Sequence, residues 1–138
     1  MNKILYLQSR LRSGGPSNQL SYLIKHLNKN EFKPVIVTVS PEKRETARPL
    51  FESWGVPVYC LGMGRIEGVL RSKEPLRNIV DNLNPDLVHS QGWRPDLLSA
   101  YHLSGLPRVA TVRNHAYQDY VMKFGSVRGR IMAWSHLR

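Results

Sequence analysis

The chain has 138 residues, 41% hydrophobic and 22% charged, which is the make-up of one globular domain and excludes a disordered chain. Its single cysteine, Cys60, excludes an intrachain disulfide framework and a multi-cysteine zinc site. Lys and Arg number 20 against 10 Asp and Glu, and the resulting charge of +10 favours anionic partners without choosing among them.

Ile4-Leu5-Tyr6-Leu7 is a short continuous apolar run, as a strand buried on both faces shows. The cluster Ser13-Gly14-Gly15-Pro16-Ser17 breaks it. Leu20, Leu23, Ile24 and Leu27 then fall on one face of a helix, which Asn28, Asn30 and Pro34 close. Val35 to Val39 is almost wholly β-branched and predicts a second strand. Ala47, Leu50, Phe51 and Trp54 repeat the helical spacing, with Gly55 as its stop. Val56 to Leu61 reads as a third strand, and Gly62, Gly64 and Gly68 as a loose loop. A third helix carries Leu76, Ile79, Val80 and Leu83, with Pro75 in its first turn and Asn84-Pro85 as its end. Asp86 to Ser90 predicts a fourth strand. Pro95 opens a fourth helix through Leu97, Leu98 and Tyr101, stopped by Gly105, and Pro107 to Val112 predicts a fifth strand. Tyr120, Phe124, Val127, Ile131 and Trp134 give one more helical stripe, with no capping signal before Arg138. The expectation is therefore the front part of a longer chain.

This alternation implies an α/β fold: a Rossmann-like, doubly wound parallel sheet with helices on both faces and right-handed crossovers. The expected strand order is 3-2-1-4-5, since the order reverses beside the first strand. No apolar run nears the ~20 residues of a membrane-spanning helix. The apolar opening ends at Gln8-Ser9-Arg10, too early for a signal peptide, so a cytoplasmic protein is expected. The cations are dispersed, without the block a nucleic-acid arm would show. The last stripe, flanked by Lys123, Arg128 and Arg130, has two readings. It lies on anionic lipid at the inner face of the membrane, or it packs onto the sheet, which Gly125 and Gly129 favour slightly by weakening a free-standing helix.

In such sheets ligands bind beyond the carboxyl ends of the strands. Gly14 and Gly15 let a ligand approach the backbone at a helix start, where phosphate or a sugar hydroxyl is suited, although a tight turn without ligand explains them as well. No dinucleotide fingerprint and no Walker loop can be drawn through this segment. His89 ends the fourth strand and His115 follows the fifth. Either can donate to a hydroxyl or act as a base, but a satisfied loop histidine is the commoner case. No metal-binding spacing of histidines is present. Asp86 lies at the wrong end of its strand for catalysis, and Asp96 in a helix's first turn meets the helix dipole.

Three segments carry a family resemblance. The opening strand followed by Ser13-Gly14-Gly15-Pro16-Ser17-Asn18-Gln19-Leu20 resembles the start of family 4 glycosyltransferases. Asn84-Pro85-Asp86-Leu87-Val88-His89-Ser90-Gln91-Gly92 resembles that family's PDxVHxH segment, and Gly105 to Val112 its GxPxVxTxH strand. The resemblance implies the GT-B architecture of two Rossmann-like domains, this chain being the acceptor-side one. It implies a retaining transfer of sugar from a nucleotide-sugar donor to a glycan or lipid-linked acceptor, in surface polysaccharide biosynthesis, with no metal. Gly14 and Gly15 would lie near the phosphate or the acceptor, and His89, Gln91, Arg113, Asn114 and His115 would line the cleft. The sequence departs from the pattern twice. Gln91 stands where the segment has its second histidine, and Arg113 stands where the strand's histidine would be. Arg113 suits bidentate binding of a phosphate instead. The donor-side residues have no counterpart, so this chain alone is expected to be inactive. The alternative is a stand-alone module that binds an anionic ligand or nucleic acid without catalysis.

Overall fold

The computed structural model describes residues 1–64, 66–113 and 115–136. Five strands, β1 (Asn2–Gln8), β2 (Phe32–Thr38), β3 (Val58–Cys60), β4 (Leu87–Gln91) and β5 (Arg108–Thr111), form one sheet. Every pairing is parallel and the order is β3-β2-β1-β4-β5, as the alternation implies. Between them run α1 (Gly15–His26), α2 (Arg48–Ser53), α3 (Glu67–Leu70), α4 (Lys73–Leu83) and α5 (Trp93–His102). After β5 come α6 (Ala116–Phe124) and α7 (Ser126–His136).

The period of two along the central strands sorts the core into two layers. Ile4 and Tyr6 of β1 point with Ile36 and Val58 toward Leu20 and Ile24 of α1 and Phe51 of α2. Leu5 and Leu7 point the other way, with Val37 and Val88, toward Leu76 and Val80 of α4 and Leu98 of α5. Strand β1 is thus apolar on both faces because both faces are covered. Asp86 serves the sheet itself. Its Oδ2 accepts from the Lys3 backbone N–H at 2.6 Å, which holds the entry of β4 beside β1. Asn84 caps α4 in the left-handed region at φ 45°, and its N–H donates to the Val80 carbonyl at 2.7 Å.

Three expectations need correction. Gly68 is not in a loop. It lies in the short helix α3, where a Cβ would meet the Arg94 guanidinium. Helix α5 begins at Trp93, two residues before Pro95, so Pro95 occupies a first-turn position whose N–H has no helical partner anyway. The last stripe is not one helix. The chain turns at Gly125, at φ 83°, and α7 folds back on α6. The buried residues are Ala116, Tyr120, Gly129 and Ala133, while Val127, Ile131 and Trp134 are exposed. A stripe counted through the turn mixes two helix faces. A single face packed onto the sheet does not describe this hairpin, whose α7 lies against α6 and α5. No helix among the described residues is long and apolar enough to cross a membrane.

Gly129 makes the α6–α7 contact possible, since a Cβ there would lie 2.4 Å from the Tyr120 carbonyl oxygen and the Val121 backbone. Gly129→Ala is expected to cost about 1–3 kcal/mol through overpacking. Gly105→Ala, where a Cβ meets nothing within 4 Å, should stay within about 0.5 kcal/mol of wild type. Thermal unfolding of the two variants checks this.

Candidate functional site

Strands β1 and β4 are neighbours in the middle of the sheet, paired from Ile4–Leu87 to Gln8–Gln91. Beyond that last pair the chains part. The chain after β1 enters α1 on one face, and the chain after β4 enters α5 on the other. This is the switch point at which open α/β sheets bind ligands.

Both helices begin on a glycine that only glycine suits. Gly14 precedes α1 at φ 151°, ψ −176°, and Gly92 precedes α5 at φ 101°, ψ 157°. Gly92 is thus the structural partner of Gly14. It stands in no glycine cluster, and its visible signal in the sequence is only its place between a strand and a helix. Gly15 differs from both. Its φ is ordinary, and a Cβ on it would meet nothing within 4 Å. The turn therefore requires Gly14 but not Gly15.

Gln91 is the last residue of β4 rather than a loop residue. Its Oε1 accepts from Gln8 Nε2 at 2.9 Å and from Arg113 Nη2, while its buried Nε2 has no partner. Gln8, Gln91 and Arg113 are therefore brought together at the switch point. His89 lies two residues back, half-buried, with its ring 5.3 Å from that of Tyr6 and its Nε2 2.7 Å from Thr111 Oγ1. Burial holds its imidazole below the usual range, with Asp96 opposing and Arg113 reinforcing that shift. His115 is exposed and precedes α6 as its cap residue, without a capping side-chain bond. Asn114 lies outside the described residues.

Other residues shape the site without any sequence signal. Arg94, in the first turn of α5, is buried. Its Nη1 donates to Ser40 Oγ at 2.8 Å, and its Nη2 to the Gly64 carbonyl at 2.6 Å. One guanidinium thus ties the loops after β2 and β3 to the start of α5. Asp96 accepts from His136 Nε2 at 2.5 Å, and His136 Nδ1 meets the Tyr120 hydroxyl at 2.7 Å. Trp93 Nε1 donates to Ser135 Oγ at 3.1 Å. These bonds fasten α7 across the amino end of α5. Burial, helped by Asp96 and Asp119, pushes the Tyr120 phenol up to about 12, so it stays protonated.

Beside the switch point lies a cleft of about 650 Å³ near the carboxyl ends of β1 and β2, and Gly14, Gly15, His89, Gln91, Arg113 and His115 are not among the described residues that line it. Ser9, Arg10, Arg12, Ser40 and Arg94 line it. So do Trp93, Tyr120, Lys123, Phe124 and Met132. It holds cations and aromatic rings, and among the described residues no carboxylate lines it.

The profile of Glycosyltransferase Family 4 matches residues 13–138. The chain belongs to that family. No curated protein matches it in sequence. Among solved structures it is similar to MurG of Acinetobacter baumannii, at 14% identity and a TM-score of 0.60 over 80% of this chain and 34% of that one. A putative UDP-N-acetylglucosamine 2-epimerase from Listeria monocytogenes is similar at 14% identity and a TM-score of 0.63, over 96% of this chain and 36% of that one. The UDP-GlcNAc 2-epimerase of Neisseria meningitidis bound to UDP-GlcNAc follows at 15% and 0.60, over 98% and 38%. At such identities the likeness shows the fold, a Rossmann-like domain of GT-B type. The family 4 chain spans little more than a third of the length of these structures.

Two outcomes follow from this geometry. Arg94→Ala should destabilise the domain by about 1.5–3 kcal/mol, the scale of hydrogen bonds to a charged group. It should also speed amide exchange at residues 62–64, which thermal unfolding and hydrogen exchange read out. His89 has its acidity set by burial. Below about pH 6.5 the unfolded chain takes up a proton there that the folded chain resists, so stability falls as pH drops through that range. His89→Gln should flatten this part of the stability profile.

Proposed function

We propose that the chain is the acceptor-side part of a sugar transferase that takes its sugar from a nucleotide-sugar donor and passes it, with retention, to a glycan or lipid-linked acceptor of surface polysaccharide synthesis. Family membership supports glycosyl transfer. One observation supports placing the substrates at the switch point: Gly15 has open space where a side chain would stand and no backbone demand for glycine. A bare residue without a fold reason is what close approach of a ligand to a helix start would need. In this reading Gln91 and Arg113, already joined, supply an amide and a guanidinium at the switch point, and Asn114 and His115 follow on the same connection. His89, bonded to Thr111, orients the strand ends. The transfer uses no metal in this reading, so it would survive chelation. The likeness to epimerases is one of fold and favours no second reaction.

This chain by itself is expected not to turn over, because a GT-B site closes between two domains. The test is Gly15→Val in a protein that carries this domain with its donor-side partner. Turnover should be lost while the melting temperature changes little. Near-normal turnover per folded molecule would remove Gly15 from the substrates' path. A large loss of stability would make it a residue of the turn.

A further inference from the structure

The switch point carries a side chain whose hydrogen bonds do not balance, and its meaning rests on the reading that the acceptor binds there. Gln91 is paired with Gln8 of β1 on one side and with Thr111 of β5 on the other. It is only 6% exposed. Its Oε1 accepts twice, from Gln8 Nε2 at 2.9 Å and from Arg113 Nη2, while its buried Nε2 has no partner among the described residues. Folding alone disfavours a buried amide that accepts twice and donates nothing, because an unpaired buried donor loses its water and gains no bond in return.

The amide cannot escape by turning over. The two ends of a glutamine amide have the same shape, so its partners decide which end faces them. Gln8 settles nothing, because its own amide can turn with that of Gln91. Arg113 does settle it. A guanidinium has only N–H donors and no acceptor, so the carbonyl of Gln91 must face it. With that oxygen fixed, Gln8 presents its Nε2 to the same atom. The series Arg113–Gln91–Gln8 thus has one consistent arrangement, and the arginine selects it. In doing so Arg113 commits Nη2, a nitrogen that a bidentate grip on a phosphate would have to share. What the series leaves unpaired is a neutral N–H, and a neutral oxygen is its natural partner.

We propose that Arg113 is a positioning residue that fixes Gln91 as a one-way donor, and that Gln91 Nε2 donates to a neutral oxygen of the sugar acceptor at the switch point. Arg113 acts through Gln91 and not on the substrate. Gln91 is thereby a specificity residue. A fixed donor takes a lone pair at its place and rejects a group that can only donate.

The lock is tested in the chain itself by thermal unfolding. Gln91→Glu keeps an oxygen for Arg113 and Gln8 and removes the unpaired donor, so its melting temperature should equal or exceed that of wild type. In an Arg113→Gln background the same change buries a carboxylate without its cation and should lower the melting temperature. Equal effects of Gln91→Glu in the two backgrounds would overturn the lock, and the proposal with it.

The contact with substrate is tested by the kinetics of the two-domain protein. Gln91→Glu sets lone pair against lone pair, or takes a hydroxyl's hydrogen from its own partner. It should raise the acceptor KM about tenfold, the scale of one hydrogen bond, with the donor KM unchanged. Arg113→Gln should act in the same direction and less, and Arg113→Lys, which still only donates, should restore much of that loss. Per folded molecule, Gln91→Glu/Arg113→Gln should be no worse than Gln91→Glu alone, because Arg113 acts only through Gln91. Multiplied losses would make Arg113 a substrate contact in its own right and overturn the proposal, as would failure of the lysine rescue. An acceptor KM that ignores Gln91→Glu would overturn it too, leaving the series structural. If the two-domain protein turns over nothing, the enzyme reading fails separately. The ligand is then read from the side-chain amide signal of Gln91, identified by its loss in Gln91→Glu, as the chain is titrated with methyl glucoside, methyl galactoside, methyl N-acetylglucosaminide and inorganic phosphate. A shift with a glycoside and not with phosphate supports the proposal. No shift, or a shift with phosphate, overturns it.

Discussion

The amide pair Gln8–Gln91, bonded side chain to side chain at 2.9 Å, marks the last point at which the two central strands run together. Because the sheet is parallel, every strand delivers its chain to the same end. Because both faces are covered, α1 must leave to one face and α5 to the other. A gap between their first turns is the geometric consequence. Gly14 and Gly92 make the two departures with backbone angles that other residues adopt only under strain. The position of the cleft thus follows from topology before any ligand chemistry is considered.

Several groups around that gap are polar, and burial makes them demanding. A guanidinium taken from water needs fixed acceptors, and Arg94 has Ser40 Oγ and the Gly64 carbonyl. This ties two loops that the sheet does not constrain to the start of α5. Asp96 and His136 act similarly on the other side, with side chains only 7% and 3% exposed. One of the two carboxylate oxygens of Asp96 is buried without a partner, so the short bond to His136 has most of the burial cost of that group to offset. Tyr120 completes the chain of bonds and forms part of the cleft wall.

The strands and the order of the sheet are legible because burial on both faces writes itself as unbroken apolar runs, as at Ile4 to Leu7 and Val35 to Val39. The family is legible because three short segments fall in register. What stays hidden is set by tertiary contact. Arg94 reads as a solvated charge in a helix's first turn, and only the loop carbonyls that close over it make it structural. His136 and Asp96 lie 40 residues apart, and no local period connects them. The last two helices read as one because Phe124 and Val127 keep a three-residue spacing across Gly125, whose left-handed φ ends α6. Gly15 is visible as a residue but not as an anomaly, since only the backbone angles show that Gly14 alone meets the demand of the turn.

The candidate site is unevenly supported, and this bears on how it would work. Strands β1 and β2 have five buried residues each, and the loop after β1 is tied down by Leu11 on Glu42 and by Ala47 on the Leu11 carbonyl at 2.7 Å. Arg10 and Arg12 therefore stand on the most firmly packed part of the sheet. Strand β5 has no buried residue, and Val109 is 48% exposed. Arg113 and His115 hang from that strand, and Lys123 from the helix beyond it. Few buried contacts mean low cost for local opening. A charged group entering the cleft would meet a fixed pair of cations on the β1 side and a more adjustable set on the β5 side. The bond from Arg113 to Gln91 and the bonds from α7 to Asp96 and Trp93 are what limit that adjustment.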